Sequence, residues 1–217
     1  MSTSKETASE LFWETHYARS APPSVSPDPN DAFVTAIDEH AAGLGWVQAR
    51  ALELGSGRGG DALWLARRGW AVTAVDASGT AVSRLDELAA QGPIDGSVHA
   101  VQADLSTDLP PGTFDLVFGC YFQSPVAIDR NAIIRRAAQQ IRRGGLLVII
   151  DHGSTAPWSW NQGAAHPTAE QTHDALGLRR GWDPVTVAAR TRTAVSPADG
   201  VTRATVTDNV VLLRREA

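Results

Sequence analysis

The chain has 217 residues, 43% of them hydrophobic and 20% charged, and a formal net charge of −5. That length suits one globular domain with a substantial core, and a diffuse acidic balance offers no nucleic-acid footprint. The single cysteine, Cys120, excludes an intramolecular disulfide framework and a cysteine-based zinc or iron–sulfur cluster. No apolar run approaches the roughly 18 residues of a membrane span. The polar N-terminus lacks a signal-peptide core, so a cytoplasmic location is expected. Lys5 is the only lysine, which leaves the folded body without a Schiff-base lysine or the lysine of a Walker A loop.

Taken in order, residues Met1 to about Ser9 read as disordered. Glu10 to Ser20 reads as a short amphipathic helix or turn carrying Phe12, Trp13, His16 and Tyr17. A proline-studded loop over residues 21–30 follows, then a helix from Asp31 to Leu44 with Asn30 or Asp31 as N-cap and Gly43 or Gly45 as its stop. From Ala49 the chain alternates. Strands are expected at Ala51–Leu54, Trp70–Val75, Ser97–Ala103, Phe114–Phe118 and Leu146–Ile150, and helices at Gly59–Arg68, from Ser78 to about Ala90, and at Asp129–Arg143. This alternation predicts an α/β fold with a Rossmann-like, doubly wound sheet. Thr168 and Gln171 stand at capping-box spacing and open a last helix. Two Val/Thr-rich runs, Val185–Ala194 and Val201–Leu213, flank a Pro/Asp/Gly turn and predict a terminal hairpin. The expected sheet therefore has seven strands, mostly parallel with an antiparallel end. Two segments result: 1–48, helical and lid-like, and 49–217, the ligand-binding domain.

Residues Ala51 to Asp61 organise this pattern: an apolar strand, Glu53, then Gly55, Gly57, Gly59 and Gly60 before a helix. Glycine serves where φ is positive or where backbone must lie against a ligand, and a helix start favours anionic groups. In such a sheet ligands sit at the carboxyl ends of the strands, where strand order reverses. Those ends carry Gly55–Gly59, Asp76, Asp104, residues 119–123, and Asp151 with His152. Asp76 can accept from both ribose hydroxyls, and Asp104 from an adenine amino group. The spacing Gly55-x-Gly57-x-x-Gly60 also fits a dinucleotide fingerprint, so the glycines alone leave a nicotinamide oxidoreductase open. Neither tyrosine, Tyr17 or Tyr121, is followed by the lysine that a short-chain dehydrogenase would carry.

Glu53 to Gly59, Asp76, Asp104, Phe114 to Val117 and Arg142 to Val148, in that order, resemble the motifs of class I S-adenosylmethionine-dependent methyltransferases. The resemblance spans about Ala49 to Leu213. The N-terminal Phe12-Trp13-x-x-x-Tyr17 followed by a Pro-rich loop is similar to the thiopurine and tellurite-resistance branch. The resemblance implies S-adenosyl-L-methionine as cofactor and S-adenosyl-L-homocysteine as product. It implies that Gly55, Ser56, Gly57 and Gly59 pass close to the methionine part, with Glu53 beneath them acting on the ammonium. Asp76 would hold the ribose and Asp104 the adenine, flanked by Ala77 and Leu105. Cys120 would offer its backbone carbonyl to the ammonium, and Trp13 and Tyr17 would close over the ligand.

Methyl transfer from a sulfonium needs alignment of an acceptor lone pair, and a base only where the acceptor must first lose a proton. His152 is the expected base because imidazole titrates near neutrality, with Tyr121 the second catalytic candidate. Gln123 and Ser124 are placed beside them, and residues 153–167 form a candidate lid. The segment after the fourth strand, Gly119-Cys120-Tyr121-Phe122, lacks the Asn/Asp-Pro-Pro-aromatic motif of nucleic-acid amino methylation. No glutamate lies between Glu87 and Glu170 to supply an arginine-binding pair. A small-molecule acceptor is expected, with no nucleic acid, no membrane and no metal, and with monomer or homodimer left open. The alternative is a cofactor-binding regulator without turnover.

Overall fold

The computed structural model describes residues 6–20, 27–40, 48–159, 162–163, 165–196 and 198–217. The elements run α1 (Ala8–Arg19), α2 (Asp31–His40), β1 (Arg50–Leu54), α3 (Gly60–Arg67), β2 (Ala71–Asp76), α4 (Gly79–Ala90), β3 (Ser97–Gln102), β4 (Phe114–Cys120), α5 (Arg130–Ala138), β5 (Ile141–His152), α6 (Ala169–Leu176), β6 (Trp182–Val195) and β7 (Arg203–Arg215). They build one seven-stranded sheet in the order β3-β2-β1-β4-β5-β7-β6. Strands β1 to β5 are mutually parallel. β7 runs antiparallel to β5, and β6 antiparallel to β7. Strand order reverses between β1 and β4, which sets the ligand crevice at their carboxyl ends.

Alternate strand residues face opposite layers. Ala51, Val72, Leu116, Phe118, Val148 and Ile150 pack with α2, α3 and α4. Leu52, Leu54, Val75, Val117, Leu147 and Ile149 pack with α5 and α6. Phe33 of α2 is fully buried and stacks on Phe118 at 4.4 Å. The run Leu146–Ile150 is fully buried, as a central strand covered on both faces requires.

Four expectations shift. The N-terminal helix starts at Ala8, inside the stretch read as disordered, because Thr7 and Glu10 form a reciprocal capping box. That helix buries only Ser9, and Leu11 is 57% exposed, so it is not amphipathic in the expected sense. The helix expected to reach Arg143 ends at Ala138, and β5 begins at Ile141, paired with Phe114. Arg142 and Arg143 therefore lie on the irregular start of a strand, where Arg142 bonds Asp115. The hairpin strands are longer than the two Val/Thr runs. Residues 21–26 of the proline loop, Gly43, Leu44 and Gly45 at the expected end of α2, and Trp160 and Asn161 of the lid candidate fall outside the described residues.

Candidate active site

The glycine turn is held down by its neighbours in the sheet. The backbone N–H groups of Gly55 and Ser56 both donate to Val75 O at 2.9 Å. Gly55, Gly57 and Gly59 have φ of 72°, 53° and 80°, where side chains are strained. Space is equally restrictive. A Cβ at Gly57 would stand 2.8 Å from Tyr17 Oη, and one at Gly55 2.7 Å from the Phe122 ring. The loop is thus a bare-backbone floor, and aromatic side chains form the ceiling.

Above it lies a cavity of about 530 Å³. Every cofactor residue expected from the sequence lines it: Trp13 and Tyr17 from α1, Glu53, Gly55, Ser56, Gly57 and Gly59, Asp76 and Ala77, Asp104 and Leu105, and Cys120. Asp76 ends β2 and accepts from Gly57 N at 2.8 Å and Ser78 N at 2.9 Å, one bond to each oxygen. Burial raises its pKa against those bonds. Asp104 follows the adjacent β3 and accepts from Ser106 N at 2.8 Å. Burial acts to raise its pKa, but hydrogen bonds from Thr7 and Ser106 prevail and hold it low. Both acids open into the same cavity on neighbouring parallel strands.

Beneath the loop the charge is concentrated. Glu53 is buried and its Oε2 has no hydrogen-bond partner among the described residues; the same holds for Ser56 Oγ. Burial, then the nearby Asp61 and Asp76, push the Glu53 pKa well up. Asp61, on the first turn of α3, accepts from Asn30 N at 2.6 Å, and its charge acts on the neighbouring Cys120 thiol. Burial also drives the Cys120 thiol well up, so it is not a nucleophile. An orphaned buried carboxylate among other acids suits a cationic ligand group. A diphosphate over the same floor would meet repulsion from Asp61 and Asp76, which disfavours the dinucleotide reading.

The catalytic expectations fare differently. Tyr121 lines the cavity, but its hydroxyl donates to Asp208 Oδ1 at 2.7 Å and accepts from Arg192 Nη2 at 2.9 Å. Burial and the charge of Asp208 raise its pKa, which rules it out as a base at neutral pH. His152 is not among the lining residues. Its ring stacks on Tyr121 at 3.7 Å and 8°, and burial lowers its pKa. Asp151 is spent on Arg130, at 2.5 Å, and on Thr172. Gln123 and Ser124 line the cavity as expected. Phe122 and Asp61 line it from stretches that the sequence had placed at the site, and Ile128, Ile133, residues 27–31 and Arg192 line it without having been assigned to it. Among the described residues no cluster of histidine, cysteine, aspartate or glutamate is arranged to hold a metal, and no helix is long and apolar enough to cross a membrane.

Comparison with known proteins agrees with this geometry. Residues 51–145 match the family model described as a methyltransferase domain. No curated protein sequence matches the chain significantly. Among solved structures, the chain is similar to a protein from work on the conversion of a disulfide bond into a thioacetal group during echinomycin biosynthesis. That match has a TM-score of 0.70 and 24% identity, over 97% of this chain and 92% of that one. It is also similar to a S-adenosylmethionine-dependent methyltransferase from Methanosarcina mazei, with a TM-score of 0.65 and 16% identity over 88% of this chain and 99% of that one. TehB from Haemophilus influenzae gives a TM-score of 0.63 and 14% identity over 94% of this chain and 67% of that one. Family model and strand order agree: residues 51–145 match a methyltransferase domain, and the sheet that carries them has the fold of class I methyltransferases.

Proposed function

We propose that this chain methylates a small-molecule acceptor without a general base of its own, and that the residues lining the cavity divide into a cofactor end and an acceptor end. The orphaned Glu53 Oε2 beneath a floor of bare glycine backbone, in the same cavity as Asp76 and Asp104, is the observation that carries the reading. S-Adenosylmethionine would supply, when bound, an electrophilic methyl group for an acceptor lone pair, with S-adenosylhomocysteine as the leaving group.

The protein's own groups bind and align. Asp76 retains lone pairs beyond its two backbone bonds and takes the ribose hydroxyls. Asp104 takes the adenine amino group between Ala77 and Leu105. Glu53 and the Cys120 carbonyl receive the methionyl ammonium. Trp13 and Tyr17 close the cavity from α1 and exclude water. At the acceptor end, Tyr121, Phe122, Gln123 and Ser124 follow β4. None of these is a base at neutral pH, and His152 stands outside the lining, so the acceptor atom must hold a free lone pair at working pH. Thiolates, thioethers and tertiary amines meet that condition. Within the segment 1–48, α1 is a lid and α2 is part of the core against which it closes. The thiopurine and tellurite-resistance likeness is kept as a reading of that lid.

Calorimetric titration with S-adenosylmethionine, S-adenosylhomocysteine and NAD, followed by detection of S-adenosylhomocysteine release over mixed thiols and amines, tests this. Binding of the first two with turnover is expected. Binding without turnover over the whole panel favours the regulator reading, and NAD binding alone overturns both.

A further inference from the structure

We propose, resting on the reading that this cavity holds S-adenosylmethionine beside a small acceptor, that Arg192 selects an acceptor carrying a compact anionic group such as a carboxylate. Arg192 sits on β6, at the far edge of the sheet. It nevertheless lines the cavity and touches the Tyr121 hydroxyl beyond β4. Asp76 and Asp104 lie past the switch point on the β2–β3 side. The guanidinium is therefore at the end opposite the adenosine site.

Its orientation is built. Arg192 Nε donates to Asp208 Oδ2 at 2.6 Å, and Nη2 to Tyr121 Oη at 2.9 Å, while Tyr121 Oη donates to Asp208 Oδ1 at 2.7 Å. Asp208 is 1% exposed. Tyr121 is fixed in turn by its stack on His152 and by a left-handed backbone with φ of 54°, a conformation that non-glycine residues hold only where the surroundings enforce it. This closed triangle pins one edge of the guanidinium. Among the described residues Nη1 has no hydrogen-bond partner, so one N–H of Nη1 and the second N–H of Nη2 form an open outer edge, the parallel pair of donors that a carboxylate matches.

The charges around the cavity give that fork a purpose. Asp28, Asp31, Asp61, Asp76 and Asp104 all line it. Such a wall favours the cationic cofactor and repels an anionic acceptor. Arg58 also lines it but is exposed on the glycine loop, whereas Arg192 is half-buried. An acceptor with a negative group has its favourable place at this braced guanidinium.

The test titrates protein loaded with S-adenosylhomocysteine with 3-mercaptopropionate and with its methyl ester. The carboxylate is expected to bind at least about tenfold tighter, and R192Q is expected to bring the two within about twofold. Affinity for S-adenosylhomocysteine should stay unchanged, which a merely structural role for the triangle would not predict. If S-adenosylhomocysteine fails to bind the native chain, the cofactor reading falls. If it binds while the two probes are held equally, or neither is held, or R192Q keeps the preference, the Arg192 assignment is overturned and the cofactor reading stands. Should R192Q fail to fold, Tyr121→Phe carries the test. Removing the brace on Nη2 should weaken the preference several-fold, and an unaltered preference overturns the assignment.

Discussion

Strand ends form one wall of the cavity and α1 forms the other, and the two are anchored by different interactions. The strand wall grows out of the core. Leu52, Leu54, Val75 and Val117 behind it are fully buried, and each such side chain contributes about 1.5–3 kcal/mol. The α1 wall buries no apolar side chain. Its Glu14 accepts from Ser78 Oγ at 2.8 Å and Thr80 N at 3.0 Å, and from the Thr80 hydroxyl. Arg84 donates to Tyr17 O and Ser20 O, both at 2.8 Å. Polar contacts at a surface, at about 0.5–1.5 kcal/mol each, open far more readily than a core. A site with one fixed and one releasable wall can grip its ligand and still exchange it.

The largest expected effect removes the fixed wall's main contact. Asp76→Ala deletes the bonds to Gly57 and Ser78 together with the ribose contact proposed above. At about 1.5–3 kcal/mol for each charge-assisted bond, cofactor affinity should drop by about 100-fold or more in calorimetry. An undiminished affinity would show that the ribose lies elsewhere.

A second experiment joins the two walls. Gly57→Ala combines left-handed strain of about 1–2 kcal/mol with the 2.8 Å approach to Tyr17 Oη. Affinity should fall about tenfold or more. Adding Tyr17→Phe removes the offending oxygen, because the next ring atom is 3.9 Å away. Partial recovery in the double variant is the expected coupling, and simple additivity would mean that the walls do not meet there.

Glu53→Gln separates ligand grip from stability. Burial keeps Glu53 protonated well above the usual glutamate range, and receiving an ammonium requires it to ionise. Affinity for S-adenosylmethionine should therefore rise with pH from the ordinary glutamate value through the raised one, and E53Q should flatten that slope at about tenfold weaker binding. Stability of the free protein has the opposite sign. The folded state keeps a proton that the unfolded chain has lost, so stability declines as pH climbs through the same window. E53Q should raise the melting temperature of the free protein by about 2–4 °C for each kcal/mol recovered.

The smallest effect concerns the releasable wall. Hydrogen bonds from Thr80 and Ser78 lower the Glu14 pKa, so its contribution to docking is present above the usual glutamate range and lost as pH falls through the lowered value. Glu14→Gln should speed cofactor release about two- to threefold and increase amide exchange within α1, without moving the melting temperature. A shifted melting temperature would place α1 in the core's cooperative unit.

Sequence made the fixed wall legible because each of its groups sits at a positional landmark. Asp76 and Asp104 end strands, and Gly55 to Gly59 join a strand to a helix. The end of α5 was not legible. Arg142 and Arg143 read as a basic last turn before glycines, yet Phe114 N bonds Gln140 O at 2.9 Å and starts the strand pairing early. Thr7 and Glu10 did carry a capping signal, one overshadowed by the polar character of the terminus. His152 follows β5 as expected, but only the folded chain shows Tyr121 lying against its ring. Arg192 was beyond reach for another reason: it sits in an alternating edge strand, and the hairpin's path over the sheet alone brings it to Tyr121.

Burial holds Cys120 as the thiol, with a practical consequence. This one native cysteine lines the crevice, yet maleimide labelling of the natural chain should be slow. A cysteine introduced on the outer face of α1, at Leu11 for instance, would then be the single attachment point for a fluorophore. Opening and closing could be followed in real time without altering any residue of the crevice.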